Sequence, residues 1–216
     1  MKVLIVGSGG REHALAWRIA ASEGVEAWIA PGNDGSRLEP NLRAVEIAAT
    51  DYEKLVPFIV KEKFDFVVVG SDQQLADGLV DKLQMHGIPA FGPTQAAAKL
   101  EYSKAFAKEV MSAAKIPTAR FHVFTDAGLA KKFLRDCGWS SGWALKADGL
   151  ALGKGVVVTQ DFSEADATID EFMVSGSLGS AGKKLVIEER MVGREVSAFY
   201  FCDGDSALEL AYACDH

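Results

Sequence analysis

Little in this sequence commits it to an oxidising compartment, a membrane or a nucleic acid. Its 216 residues hold three cysteines, Cys137, Cys202 and Cys214, and none falls in a CxxC pair. An odd number of scattered thiols does not make a disulfide framework, so reduced cysteines in a cytoplasmic protein are expected. No apolar run reaches the roughly 18 residues of a membrane span. The opening MKVLIVGSGGREH breaks into glycines after a short run, so it reads as a buried strand and not as a signal peptide. Basic residues are outnumbered, 23 Lys+Arg against 30 Asp+Glu, for a net charge of −7. That balance argues against a dedicated nucleic-acid binder, which shows a basic face. His13, His86, His122 and His216 have no metal-ligand spacing, and with the scattered cysteines they spell no zinc site. Ser8, Ser71 and Ser103 lack the context of a nucleophile elbow. Trp17, Trp28, Trp139 and Trp143 read as core or interface residues.

What is present is ordinary for a globular chain, with 49% hydrophobic and 25% charged residues, enough for one or two domains with a buried core. Over the first ninety residues short β-rich runs alternate with helical ones. Strands are expected at residues 2–7 (KVLIVG), 25–30, 44–48, 64–70 (FDFVVVG) and 88–91. Helices are expected at 11–22, at 51–63 behind a Thr50/Glu53 capping box, and near 79–86. Continuous apolar strands alternating with helices mean a parallel, doubly wound α/β sheet covered on both faces.

Gly92-Pro93 then punctuates the chain, and the pattern changes to α+β with antiparallel pairing. A helix is expected over 102–115, a strand over 120–124, a helix over 127–136, and strands at 143–146 and 156–159. Ser163 with Asp166 marks a further capped helix to 173. Strands follow at 184–189, 195–202 and 207–213, the last two joined by the hairpin turn Asp203-Gly204-Asp205. The boundary falls near 92–102, which divides the chain into domains 1–100 and 101–216.

Two glycine loops carry the chemistry. Gly7-Ser8-Gly9-Gly10 follows a strand and opens a helix, so its amides can form an anion nest at a helix N-terminus. A dinucleotide fingerprint would need glycine where Glu12 stands, and an acidic residue where the second strand ends in Ala30-Pro31. NAD is therefore disfavoured. Arg11 beside the glycines suits a phosphate; a tight turn with a surface arginine is the alternative. The second loop runs Lys146-Ala-Asp-Gly149-Leu-Ala-Leu-Gly153-Lys154-Gly155 and joins two strands. It fails as a Walker A motif, because three residues separate Gly149 from Gly153 and Gly155 stands where Ser or Thr would bind magnesium. A hairpin with two lysines and three glycines can still close over a triphosphate; a purely structural hairpin has little need of them. Glu188, Glu189 and Glu195 come next. Singly each reads as a solvated strand carboxylate, but their position after the lysine loop suits contacts to an adenine and a ribose.

Taken together these residues resemble the N-terminal part of the glycinamide ribonucleotide synthetase (phosphoribosylamine–glycine ligase) family, within the ATP-grasp superfamily. The motifs are VGSGGREHALAW (6–17), APGNDG (30–35), FGPTQAAAKLEYSKAFAK (91–108), IPTA (116–119), KADGLALGKGVVV (146–158) and VIEER…GREVSAF (186–199). The resemblance implies a pre-ATP-grasp domain over 1–100. It implies a partial ATP-grasp domain over 101–216, with a nucleotide-covering subdomain at 120–190 and the start of the large lobe at 191–216. It implies ATP, glycine and phosphoribosylamine as small-molecule partners in purine biosynthesis. Lys104 and Lys146 would touch the ATP phosphates, with the loop of Gly149, Gly153, Lys154 and Gly155 closing over them. Glu188 and Glu189 would lie along the adenine and Glu195 at the ribose, while Gly9, Gly10, Arg11 and Glu12 would line the phosphoribosylamine site.

Two departures from the family pattern stand out. Gly70-Ser71-Asp72-Gln73-Gln74-Leu75 replaces Gly-Pro-Glu-x-Pro-Leu, so Asp72 takes the place of the family's glutamate with a shorter reach. Family members also continue well past residue 216, where the Glu and Asn ligands for magnesium (or manganese) reside. The chain is thus expected to be a fragment without turnover that self-associates through an exposed edge at 208–213. The alternatives are another ATP-grasp carboxylate–amine ligase, or a non-catalytic module for nucleotides and sugar phosphates.

Overall fold

A computed structural model describes residues 1–151 and 153–214; Leu152 of the second glycine loop and the final Asp215 and His216 lie outside the described residues. Two sheets organise the chain. The first is built from β1 (Lys2–Gly7), β2 (Glu26–Pro31), β3 (Leu42–Ala44), β4 (Phe66–Val69) and β5 (Ala90–Phe91) in the order β3-β2-β1-β4-β5. Every neighbouring pair is parallel. Helices α1 (Gly10–Ala20), α2 (Tyr52–Glu62), α3 (Asp72–Ala76) and α4 (Leu79–Met85) lie between the strands.

Side chains alternate across a strand, and both faces here are dry. Leu4, Val6, Val67 and Val69 pack on Leu55 and Ile59 of α2 and Leu79 and Leu83 of α4. Val3, Ile5, Ala27 and Ile29 pack on Ala16 of α1 from the other side. At about 1.5–3 kcal/mol for each fully buried aliphatic side chain, this pattern fixes the register of the central strands. It also explains why the apolar runs at 2–7 and 64–70 are legible.

Several expected elements move. The third strand lies at Leu42–Ala44 and not at 44–48, because its pairing with β2 ends at Ile29↔Ala44 and a tight Ile47-to-Val45 hydrogen bond turns the chain away. Helix α2 is capped by Asp51, whose carboxylate accepts from the Lys54 amide; Thr50 stands one residue too early.

In the second half an unforeseen helix, α5 (Gln95–Tyr102), precedes α6 (Lys104–Ala113), which is the helix expected over 102–115. The chain breaks at Ser103, whose hydroxyl caps α6 by accepting from the Phe106 amide. Beyond them come β6 (Phe121–Phe124), α7 (Ala127–Asp136), β7 (Trp143–Ala147), β8 (Val156–Thr159), α8 (Phe162–Ile169) and β9 (Leu185–Glu189). Asp161, and not Ser163, begins α8: its carboxylate reaches the amides of Ser163 and Glu164. Past Ile169 the helix widens into a π turn, Asp170–Val174.

These strands form an antiparallel sheet in the order β6-β9-β7-β8. One face, with Leu145, Ala147, Leu185 and Ile187, is covered by Ala130 and Leu134 of α7 and Ala165 and Ile169 of α8. The other face carries Lys146, Val186, Glu188 and the exposed Val156 and Val158. Last come β10 (Tyr200–Cys202) and β11 (Ala207–Glu209), an antiparallel ribbon of their own. Both are shorter than the expected 195–202 and 207–213. Further out the Leu210 amide donates to the Phe199 carbonyl at 2.8 Å and an isolated bridge joins Ser197 to Ala213; no third strand of the described residues flanks them.

Candidate functional site

The sheet order makes a crevice. From β1 the chain proceeds outward to β2 and β3, then returns to place β4 and β5 on the other side. The carboxyl ends of β1 and β4 therefore flank a topological switch point, where open α/β sheets hold their ligands. Gly7 ends β1 at φ +141°, a conformation that disfavours side chains, and a Cβ there would run into Glu12 Cγ. Across the crevice a Cβ on Gly70 would lie 2.7 Å from the same Glu12 Cγ. Glu12 is buried between the two loops, and its carboxylate accepts the Gly9 amide at 2.8 Å. It forms the floor of the site and completes the start of α1.

Arg11 stands at the rim with its side chain 67% exposed, its Nη1 donating to the Gly70 carbonyl at 3.2 Å and lying 3.6 Å from Asp72 Oδ1. Asp72 is the first residue of α3, directly after β4. A guanidinium with most of its donors in solvent, beside the amides that open α1, is suited to a phosphate.

The opposite wall comes from the second half. Lys104, first residue of α6, donates through Nζ to the Gly149 carbonyl at 3.2 Å. Asp148 joins the same two segments: its Oδ1 accepts from Ser103 Oγ and from the Ala105 amide, both at 3.0 Å. Lys184 lies 3.4 Å from its other oxygen. The base of the glycine loop is thus fastened to the start of α6. Gly9, Gly10, Arg11, Glu12 and Asp72 line one side of a cleft of about 540 Å³, and Lys104, Gly149 and Gly153 line the other.

The remaining candidates lie outside that cleft. Lys154 is exposed on the loop, and Gly155 is buried at its far end, where its carbonyl accepts the Ala147 amide at 2.8 Å. Lys146 lies on the face of the antiparallel sheet opposite α7 and α8, 3.0 Å from Glu188 Oε1. Glu188 is 5% exposed, and its other oxygen lies 2.9 Å from Lys108 Nζ. Glu189 is gripped by Arg120 through two hydrogen bonds of 2.6 and 2.7 Å. The guanidinium holds the Glu189 carboxyl below the usual carboxylate range, outweighing partial burial, which acts the other way. Glu195 is exposed, between β9 and β10. Among the described residues no three His, Cys, Asp or Glu side chains gather as they would to hold a metal ion. No helix of the described residues is long and apolar enough to cross a membrane.

Sequence reasoning missed Lys108 and Asp148. Lys108 reads as one more polar residue on a helix, and Asp148 as loop filler. The one available signal was that each falls inside a quoted motif, the first at its end and the second beside Gly149.

Two family profiles cover the chain. "Phosphoribosylglycinamide synthetase, N domain" matches residues 1–101, and "Phosphoribosylglycinamide synthetase, ATP-grasp (A) domain" matches residues 102–216. Phosphoribosylamine–glycine ligase of Escherichia coli (strain K12) is 45% identical over 217 residues, which is 100% of this chain and 50% of that protein. The enzyme of the same name from Allochromatium vinosum is 46% identical with the same coverage. The chain thus spans about half the length of these curated relatives. Among solved structures, phosphoribosylamine–glycine ligase from Thermotoga maritima superposes with a TM-score of 0.78 at 30% identity, covering 98% of this chain and 49% of that one. A biotin carboxylase–β,γ-ATP complex from Campylobacter jejuni, at 19% identity and a TM-score of 0.73, covers 96% of this chain and 49% of that one; it shares the fold.

Proposed function

The chain belongs to the phosphoribosylglycinamide synthetase family of ATP-grasp ligases, and on that footing we propose that it forms the sugar-phosphate-binding and nucleotide-covering part of an enzyme joining glycine to 5-phosphoribosylamine. The observation that supports this best is the single cleft in which Arg11 and Asp72 face Lys104 and Gly149. Residues 1–100 would act as the substrate domain and 101–216 as part of the ATP-grasp domain.

In the proposed reaction a glycine carboxylate oxygen attacks the γ-phosphorus of ATP, and the bond to the departing ADP oxygen breaks, giving glycyl phosphate. The sugar amine then attacks the carbonyl carbon. Phosphate leaves and the nitrogen loses a proton, giving glycinamide ribonucleotide. Activation is needed because a carboxylate oxygen is a poor leaving group. The residues contribute position and charge: Arg11 with the α1 amides holds the sugar phosphate, while Lys104 and Lys146 offset the ATP phosphates. The loop carrying Gly149, Gly153, Lys154 and Gly155 would shield the acyl phosphate from water. Adenine would lie along the backbone of Glu188 and Glu189, whose carboxylates already have lysine and arginine partners, with the ribose at Glu195.

Magnesium would supply charge neutralisation at the phosphates in such a transfer; among the described residues no three His, Cys, Asp or Glu side chains gather around a metal position, and it is assigned to none of them. A second reading for the 216-residue chain alone is binding without turnover. The exposed Tyr200 and Leu208 of the terminal ribbon are where self-association would occur.

Calorimetric titration with ATP and with ribose 5-phosphate, followed by an ADP-release assay with glycine and phosphoribosylamine, tests both readings. Binding of both ligands without ADP release is expected. Failure of either to bind overturns the proposal, and ADP release at an ordinary enzymatic rate, roughly 1–1,000 per second, overturns the second reading.

A further inference from the structure

We propose that Lys108 is a positioning residue that neutralises Glu188, so that Lys146 is free to turn to a nucleotide phosphate. The inference rests on the reading of Lys146 as an ATP ligand and adds a residue that the reading does not contain.

Three side chains form the arrangement. Lys146 on β7 pairs in register with Val186 on β9, which puts Glu188 two residues further along the same face, within reach of a long side chain. Lys108 comes from α6, beneath that face. Its Nζ lies 2.9 Å from Glu188 Oε2, and Lys146 Nζ lies 3.0 Å from Oε1. One carboxylate therefore has two cations, and the trio carries a surplus positive charge.

The two lysines differ. The Lys108 side chain is 8% exposed, donates also to Thr118 Oγ1 at 2.6 Å, and lies 5.6 Å over the Phe121 ring. Helix, loop and sheet hold it from three sides. The Lys146 side chain is 28% exposed and borders the open strand β8, where Val156 is 44% exposed. Lys146 is the partner that can leave.

Burial sets the consequence. A carboxylate as enclosed as Glu188 is retained only with a charged partner. If Lys146 swings to a phosphate, Glu188 still has Lys108. Without Lys108, the carboxylate competes with the phosphate for its one remaining cation, and nucleotide affinity drops. Removing the carboxylate's charge as well ends the competition.

ATP binding by calorimetry on the 216-residue chain decides the matter, with four variants: Lys146→Ala, Lys108→Met, Lys108→Arg and the double variant Lys108→Met/Glu188→Gln. Lys108→Met is expected to weaken ATP about tenfold or more, while Lys108→Arg stays near the parent. The double variant is expected to recover most of the loss, a rescue that a purely structural role would not produce. Unchanged affinity in Lys108→Met, or a double variant as weak as the single, overturns the inference while leaving the nucleotide reading intact. Unchanged affinity in Lys146→Ala overturns the nucleotide reading and the inference with it. Should Lys108→Met fail to fold, Glu188→Gln alone decides: several-fold tighter ATP binding supports the release of Lys146, and equal or weaker binding contradicts it.

Discussion

Lys104 Nζ donates to the carbonyl of Gly149 at 3.2 Å, so the cation that opens α6 is already bonded to the first glycine of the lysine loop. A phosphate arriving in the cleft competes for that same ammonium. The loop must then exchange one set of partners for another, and its glycines are the residues that tolerate the change. Amide hydrogen exchange at Gly149, Gly153 and Gly155 should slow when ATP is added. Equal rates with and without ATP would make the loop a structural hairpin.

Arg11→Ala should weaken ribose 5-phosphate binding by about 1.5–3 kcal/mol, the range for hydrogen bonds to charged groups. ATP affinity should hardly change, because Arg11 lies on the wall opposite Lys104 and Gly149. Calorimetry measures both. An unaltered sugar-phosphate affinity would remove the loop of residues 7–11 from the site.

Gly7→Ala tests the packing beneath that loop. The new methyl would meet Glu12 Cγ while the backbone stays at φ +141°. Overpacking of this kind costs about 1–3 kcal/mol, to be read as a lower denaturation midpoint in urea. Sugar-phosphate affinity should fall as well, since displacing Glu12 releases the Gly9 amide. A variant as stable as the parent would show that Glu12 can move aside at little cost.

How far all this could be seen in the residues depended on whether the cause was local. The runs KVLIVG and FVVV declare buried parallel strands because both faces are apolar, and helix Ala127–Asp136 lies where its periodicity put it. The break at Ser103 was invisible. The helix expected from residue 102 starts at Lys104, and what sets that start is a capping hydroxyl at Ser103 bonded to Asp148, 45 residues away. Lys108 was hidden for the same reason, because its partner Glu188 lies on a strand that only the folded sheet brings near. Glu12 was picked out for its motif, but its inward turn depends on Gly70, which belongs to a different strand end. The shortened strands Tyr200–Cys202 and Ala207–Glu209 show the converse: apolar sequence extends further than the pairing partners available to it.

The Arg120–Glu189 pair gives an acid-dependent contribution to stability. Arg120 lowers the Glu189 pKa in the folded chain, so the stabilisation is present above the carboxylate's unfolded value. It is lost as pH falls through the lowered folded value. The Arg120 side chain is 67% exposed, so the effect is modest and screened by salt. Melting temperatures of the parent and Arg120→Met should differ at neutral pH and converge in acid, once the pH is below the lowered folded value. A difference that persists in acid would assign the loss to the packing of Arg120 on Trp139 and not to the ion pair.

The most direct test of the shared cleft is amide chemical-shift mapping of the 216-residue chain with ribose 5-phosphate and ADP, added singly and then together. Ribose 5-phosphate is expected to move Gly9, Gly10, Arg11 and Asp72, and ADP to move Lys104, Gly149 and Gly153, with both sets of shifts retained when the two are present. Ligands that displace each other from one set of residues, or that leave both walls of the cleft unmoved, would contradict a cleft that holds a nucleotide and a sugar phosphate side by side.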